Sequence, residues 1–157
     1  MRKILKVEEA IEIARKLRKE KKSIVLVGGF FDILHAGHIK FLENSKKLGD
    51  YLFVLLEDDN KARKIKGTNR PINAQENRAI VLSSLENTDY IVLLKNMTDN
   101  IEYDKIITQI KPNIIATTYG DPNINHKKRQ AKLINGKVIS VINRIHDHST
   151  TKLAELI

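Results

Sequence analysis

The sequence predicts a doubly wound α/β fold, a single domain in which a five-stranded parallel sheet carries helices on both faces. Five short apolar runs, rich in β-branched residues and lacking polar alternation, are typical of strands that are buried on both faces. They span residues 23–27, 51–56, 90–94, 113–117 and 137–143. Helical patterns separate these runs, and the length of 157 residues suits one domain, 1–157.

Three of the predicted helices follow from apolar spacing and from stop signals. Residues 7–17 carry apolar side chains at helical intervals before the first strand. Residues 36–48 do so directly after it, and Gly49 is a C-terminal stop signal. A third helix is expected over residues 103–110, ending before Pro112.

The segment after the second strand predicts a loop and then a helix. Residues 57–71 are long, charged and end in a turn-favouring sequence. In the helix that follows, Asn73 is the expected N-cap and Glu76 its capping-box partner. The expected apolar face consists of Ile80, Val81 and Leu85. A final short helix is expected to begin at Ser149 or Thr150 and to run through the end of the chain.

Composition limits the classes of function. The chain lacks cysteine, which excludes disulfides and thiolate metal sites and fits a reducing cytoplasm. No apolar run is long enough to span a bilayer, so a soluble, cytoplasmic protein without membrane contact is expected. The net charge of +9 allows either a nucleic-acid binder or an enzyme with phosphate-rich ligands. Of the basic runs, 15–22 fits a solvated helix face, whereas 61–66 and 126–132 are expected in loops.

In a Rossmann-like sheet of this kind, ligands bind beyond the carboxyl ends of the strands. The stretch GGFFDILHAGHIKF, residues 28–41, begins at such an end. Gly28 and Gly29 predict a tight turn whose backbone N–H groups can approach an anion closely. The start of the next helix points its partial positive charge at the same place. The spacing fits neither a Walker loop nor a dinucleotide fingerprint. His35 and His38 are compatible with a metal site, with ordinary helix-end side chains, or with donors to phosphate oxygens.

Two signatures give the chain a family resemblance. GFFDILHAGH resembles the G-x-F-D-x-x-H-x-G-H motif of the cytidylyltransferase-like nucleotidyltransferases, and HSTTKL resembles their second signature, which opens the last helix. The motifs lie near opposite ends of the chain, with the expected sheet between them. The resemblance implies transfer of a nucleoside monophosphate from a nucleoside triphosphate to a phosphate-bearing acceptor, with release of pyrophosphate and with Mg²⁺ bound to the triphosphate.

The resemblance also assigns roles to individual residues. The residues expected to stabilise the reacting triphosphate are His35, His38, Lys64, Lys66 and Arg78. Those expected to lie against the nucleotide or its phosphates are Gly29, Phe30, Phe31, Arg144, Ser149, Thr150 and Thr151. Asp32 and Gly37 are expected to support the turn, and no protein ligand for the metal is predicted.

Two branches of the family fit different parts of the chain. The run KGTNRPIN is similar to the K-G-x-x-R-P-I/V-N run of heptose-phosphate adenylyltransferase domains, which favours ATP as the nucleotide. Residues 37–54 and the placement of Arg144 five residues before Ser149 are similar to glycerol-phosphate cytidylyltransferase, which makes CTP the next choice. A synthase of flavin nucleotides is a weaker relative.

The acceptor site is the least defined part of the sequence. Residues 116–129 depart from the segment that relatives carry after the fourth strand, and the roles of His146 and His148 stay open. The candidates for acceptor binding are Gly120, Asp121, Lys127 and Lys128. The resemblance implies a homodimer. A nucleic-acid-binding module and a non-catalytic nucleotide-binding regulator are the rival classes, but nucleic acid is not the expected partner because base-stacking aromatic residues are scarce.

Overall fold

The fold is a parallel sheet of six strands with helices on both faces. The computed structural model describes residues 2–143 and 153–156. Its strands are β1 (Ile4–Lys6), β2 (Ile24–Gly29), β3 (Tyr51–Leu56), β4 (Tyr90–Leu93), β5 (Ile114–Tyr119) and β6 (Lys137–Asn143). They pair in the order β1-β4-β3-β2-β5-β6, every pair parallel. The Rossmann-like fold class is confirmed.

The predicted number of five strands is wrong, because the described chain begins with a strand that the sequence pattern does not reveal. β1 is three residues long and pairs with β4, with Leu5 opposite Val92. It leads without a loop into the first helix, so no turn signal separates it from the predicted helix of residues 7–17. A strand this short carries too little periodicity to be recognised from sequence.

Six helices connect the strands of the described chain: α1 (Val7–Lys19), α2 (Ala36–Lys46), α3 (Asp59–Lys66), α4 (Gln75–Ser83), α5 (Asn100–Ile110) and α6 (Ile124–Leu133). The helices α3 and α6 occupy the two basic runs that were expected in loops. The side chain of Asp58 caps α3 by accepting a bond from the Lys61 N–H at 3.0 Å, and basic residues fill the last turn. Neither helix buries a broad apolar stripe, so the sequence lacked the helical signal.

The helix α4 begins and packs differently from the prediction. Asn73 is not its N-cap: Ala74 is, without a side-chain cap, while Asn73 bonds to Asp32 instead. Ile80 and Val81 are 57% and 51% exposed, so they do not form the buried face. The residues of α4 that are buried are Arg78, Ala79 and Leu82. The buried face of α4 therefore includes Arg78 in place of the expected Ile80 and Val81.

The core consists of two layers, one on each face of the sheet. Alternate residues of β2 point to opposite sides, Leu26 into one layer and Val25 and Val27 into the other. The first layer is closed by α1, α5 and α6, and the second by α2 and α4. This two-sided burial is the reason why the strands read as continuous apolar runs.

The strand order creates a crevice at the carboxyl edge of the sheet. β2 lies between β3 and β5. The chain proceeds from β2 to β3 and β4 on one side, then crosses to β5 and β6 on the other. Ligands of such sheets bind where the connections diverge in this way. This point lies beyond Gly29 and Tyr119, the last residues of β2 and β5. No helix of the described ranges combines the length and apolarity needed to cross a membrane.

Gly49, in the connection between α2 and β3, provides a test of the packing of that connection against β2. A Cβ atom at Gly49 would lie 2.8 Å from Val25 Cγ2 and 3.1 Å from the hydroxyl of Ser23. We expect Gly49→Ala to lower the free energy of unfolding by about 1–3 kcal/mol, measured by urea denaturation, because Val25 is part of the close-packed core. Gly28→Ala is the matched control, since its Cβ would meet atoms at an ordinary 3.7 Å. Equal stability of the two variants would contradict this packing.

Candidate active site

The turn that follows β2 is built around a phenylalanine in the left-handed region. Phe31 has φ of 48° and is 6% exposed, a conformation that costs energy for a bulky residue and that surrounding contacts must hold. The predicted turn at Gly28 and Gly29 is therefore wrong, because both glycines belong to β2. Gly29 instead makes room for the ring of Phe31, whose Cε2 would lie 3.0 Å from a Cβ at position 29.

Asp32 fixes this turn to the segment before α4. Its carboxylate accepts bonds from Arg70 Nε at 2.8 Å, from the Ile72 N–H at 2.8 Å and from the Asn73 N–H at 2.9 Å. Burial alone would raise the pKa of Asp32, but the two backbone donors and the Arg70 guanidinium outweigh it and hold the pKa below its usual value. Asp32 is therefore a charged brace that already accepts three hydrogen bonds within the protein.

Arg78 lies beneath the turn and is 1% exposed. Its guanidinium donates to the Phe30 carbonyl at 2.6 Å, to the Asn73 carbonyl at 2.9 Å and to Asp59 Oδ1 at 2.7 Å. All three nitrogens are thus engaged within the protein. A direct role of Arg78 beside the triphosphate does not fit this geometry. Arg78 instead holds the turn, through the Phe30 carbonyl, and the start of α3, through Asp59.

The two histidines open α2 and cap it with each other. The Gly37 N–H donates to Nδ1 of His35 at 3.1 Å, and the His35 N–H donates to Nδ1 of His38 at 3.4 Å. The imidazole rings lie 3.9 Å apart between centroids, and the ring of Phe31 lies 5.4 Å from that of His38. Because both Nδ1 atoms accept backbone N–H groups, the neutral rings carry their proton on Nε2. The helix start therefore holds two Nε2–H donors side by side.

The surroundings keep His38 uncharged. Burial, followed by the proximity of His35 and of Lys66, lowers the pKa of His38 from 6.5 to about 4. Gly37 is buried between the two histidines in the first turn of α2, at the end of the helix where the backbone dipole also disfavours a cation. At neutral pH His38 is a neutral donor with cationic and dipolar surroundings that attract an anion.

Lys64 and Lys66, which were both expected to stabilise the triphosphate, point in different directions. Lys66 Nζ lies 5.1 Å from the centroid of the Phe30 ring, on the side of the histidines. Lys64 is exposed two positions earlier in α3, which on a helix corresponds to a rotation of about 200°. The expectation that a loop would present both lysines to the phosphates fails, because the segment is helical, and Lys66 is the one placed near His38.

Three residues that the sequence analysis did not single out hold the site together. Asp59 accepts bonds from Arg78 and from the Gln75 N–H, the latter at 2.9 Å. The Gln75 amide donates to the carbonyls of Leu56 and Leu94, and Arg70 bonds Asp32. Each side chain interacts across more than 15 residues of sequence, so local patterns did not reveal these contacts, although Arg70 is the arginine of the KGTNRPIN run.

The candidates for acceptor binding lie at the end of β5. Gly120 follows β5 with φ of 76°. The buried carboxylate of Asp121 accepts bonds from Thr117, Lys127 and the Asn123 N–H. Burial would raise the pKa of Asp121, but the Lys127 ammonium and the Thr117 hydroxyl outweigh it and hold the pKa below its usual value. Lys127 thus stands in a fixed cluster, whereas Lys128 is exposed on α6.

The remaining candidates lie outside the described residues. These are Arg144, His146, His148, Ser149, Thr150 and Thr151, together with the start of the predicted last helix. Within residues 2–143 and 153–156, no group of three or more acidic, histidine or cysteine side chains is arranged to hold a metal ion.

Comparison with known proteins identifies the family. A family model described as cytidylyltransferase-like matches residues 26–155, from β2 through both signatures. The chain belongs to the cytidylyltransferase-like family. The resemblance inferred from the two signatures is therefore confirmed, and membership of this family supports nucleotidyltransferase chemistry.

Curated relatives of this chain are several times longer than it is. It is 36% identical over 155 residues to the bifunctional protein HldE of Helicobacter hepaticus, which covers 99% of this chain and 30% of the relative. It is 38% identical over 153 residues to HldE of Cronobacter sakazakii, covering 96% of this chain and 30% of the relative. The chain thus spans less than a third of these proteins.

Solved structures extend the likeness to the fold. A lipopolysaccharide core biosynthesis protein from Thermoplasma volcanium matches with a TM-score of 0.66 and 31% identity, over 79% of this chain and 99% of that one. A pantoate-beta-alanine ligase from Francisella tularensis matches with a TM-score of 0.65 but 17% identity, over 99% of this chain and 78% of that one. The second likeness concerns the fold alone.

The titration of His38 tests the electrostatics of the site. The folded protein binds fewer protons at His38 than the unfolded chain between about pH 4 and 6.5, so this residue lowers stability as the pH falls through that window. We expect NMR titration to show His38 changing charge near pH 4 in the free protein, and at higher pH once inorganic tripolyphosphate is bound. His38→Gln assigns the signal. A titration near 6.5 in the free protein would contradict this environment.

Proposed function

We propose that the protein transfers a nucleoside monophosphate, with ATP favoured and CTP next, to a phosphorylated sugar or polyol and releases pyrophosphate. Heptose 1-phosphate is the first acceptor to test. The observation that carries this proposal is the pair of imidazoles at the start of α2, each with Nδ1 occupied by a backbone N–H and therefore with its proton on Nε2. Two such donors suit an oxyanion whose charge grows during the reaction.

The proposed step needs positioning and charge stabilisation rather than covalent catalysis. A phosphate oxygen of the acceptor attacks the α-phosphorus, a new P–O bond forms, and the bond from the α-phosphorus to the bridging oxygen breaks. The electron pair of that bond leaves with pyrophosphate. The Nε2–H groups of His35 and His38 would donate to the phosphate oxygens in the transition state, and the Lys66 ammonium would offset the charge that passes to the leaving group.

The proposed acceptor class rests on chemistry at the other side of the crevice and on the relatives. The cluster of Thr117, Asp121 and Lys127 lies at the carboxyl end of β5, across from the end of β2. It combines a cation with hydroxyl and carboxylate groups, as a phosphorylated polyol requires. A solved relative is titled a lipopolysaccharide core biosynthesis protein, a name that supports a sugar acceptor.

Mg²⁺ would accompany the nucleotide and supply electrostatic neutralisation of its phosphates. Among the described residues, Asp32 is the carboxylate closest in sequence to the histidines, and its oxygens already accept three hydrogen bonds. The donor set therefore fits a metal ion carried by phosphate oxygens and water rather than by a cage of carboxylates.

An assay of pyrophosphate release tests the reaction and its substrates. The four nucleoside triphosphates are combined with heptose 1-phosphate, glycerol 3-phosphate and flavin mononucleotide in the presence of Mg²⁺. We expect one combination to dominate, with ATP ahead of CTP, because one base and one acceptor should fit the crevice. EDTA and omission of the acceptor are the controls. Absence of release in every combination would overturn the proposed function.

Substitution of His38 tests the role of the paired donors. We expect His38→Ala to lower kcat by about 100- to 1,000-fold, the usual effect of removing a donor to a developing oxyanion. Lys40→Ala, on the exposed face of the same helix, is the matched control and should keep normal activity. Circular dichroism and thermal unfolding establish that both variants are folded. Near-normal kcat in the folded His38→Ala protein would show that the pair is not used in this way.

A further inference from the structure

The pairing of Arg70 with Asp32 has no explanation in the proposed chemistry. The side chain of Arg70 is 7% exposed and that of Asp32 is 1% exposed, and the Nε to Oδ2 distance is 2.8 Å. Nη2 of Arg70 is also buried, and it lacks a hydrogen-bond partner among the described residues. Burying a guanidinium and leaving one donor unsatisfied costs stability. An apolar side chain would fill this place at lower cost, so a role other than stability accounts better for the arginine.

The two ends of α3 are held by different contacts. At its N-terminal end, Asp59 is bound to Arg78. Lys61 contacts Glu57, which also accepts a bond from the hydroxyl of Tyr103 at 2.6 Å. At its C-terminal end, the helix stops at Gly67, whose φ of 106° turns the chain away. The Arg70 N–H closes that turn by donating to the Gly67 carbonyl at 3.1 Å.

Arg70 therefore connects the end of α3 to the turn that precedes the histidines. Its backbone belongs to the turn that ends α3, and its side chain holds Asp32. Lys66 is the last residue of α3, one position before Gly67, and lies beside Phe30 and close enough to influence His38. The position of the Lys66 ammonium relative to the imidazoles consequently depends on the anchor that Arg70 provides.

We propose that Arg70 is a positioning residue for the transfer reaction, which holds the C-terminal end of α3, and with it Lys66, against His35 and His38 through Asp32. This proposal rests on the proposed function for its effect on rate, but the arrangement itself is independent of activity. Arg70 acts through its neighbours. A shift of Lys66 by about 1 Å from its productive position is enough to slow transfer about 100-fold.

The test measures the His38 environment and the reaction in parallel. We expect Arg70→Met to raise the pKa of His38 measurably above about 4 in an NMR titration, because a displaced Lys66 ammonium no longer lowers it, whereas burial and the proximity of His35, the larger causes, remain. We expect kcat/KM to fall about 100-fold in the same variant. Arg70→Lys keeps one donor for Asp32 and should recover part of both effects. Arg63→Met, which removes an exposed arginine of α3 that contacts Asn60, should change neither.

The outcomes separate this inference from the proposed function. An unchanged His38 pKa in folded Arg70→Met would overturn the role of Arg70, whatever the activity. Failure of the wild type to use any nucleotide would overturn the proposed function, while the titration still decides whether Arg70 holds Lys66 near His38. If Arg70→Met does not fold, the His38 pKa is compared instead in Arg70→Lys and in Asp32→Asn. A His38 pKa equal to that of the wild type in both of these variants would overturn the inference.

Discussion

The site depends on the energy needed to hold the turn of residues 30–32. Phe31 occupies the left-handed region, which an unsupported phenylalanine avoids. Arg78 binds the carbonyl before it, and the carboxylate after it, that of Asp32, takes three donors from the segment that leads into α4. This turn sets where α2 begins, and hence where the histidines stand. The same buried groups fix α3, because Arg78 also binds Asp59.

The electrostatic design follows from that scaffold. Two imidazoles whose centroids are 3.9 Å apart cannot both be charged at low cost, and Lys66 makes the protonated state of His38 less favourable still. Lys66 therefore supplies positive charge beside His38, while the neutral His38 contributes a directed N–H dipole. Such dipoles are already oriented before an anion arrives, so little reorganisation is needed when charge develops.

The sequence predicted the parts of this arrangement that arise from local patterns. The strands Tyr51–Leu56 and Lys137–Asn143 have the predicted bounds. In the first, burial on both faces leaves a continuous apolar run, whereas the second is a partly exposed edge strand rich in β-branched residues. The helix α3 was missed because it buries a single residue, Ala62, and most of its other residues are charged. The buried position of Arg78 was also missed, since it depends on Asp59 and Phe30, which lie 19 and 48 residues away. Periodicity reports burial of apolar residues and cannot report a buried polar network.

The geometry also links the helix that opens with the histidines of the first family signature to β6, a strand far away in the sequence. The helix α2 begins at the histidines and continues to Asn44, whose side chain donates to the Val141 carbonyl of β6 at 3.2 Å. β6 in turn pairs with β5 up to Asn143. A helix that starts with the first signature is thus bonded to β6, the strand that precedes the second signature in the sequence. Substitutions that moved α2 on the sheet would therefore also disturb β6, although the two elements lie far apart in the sequence.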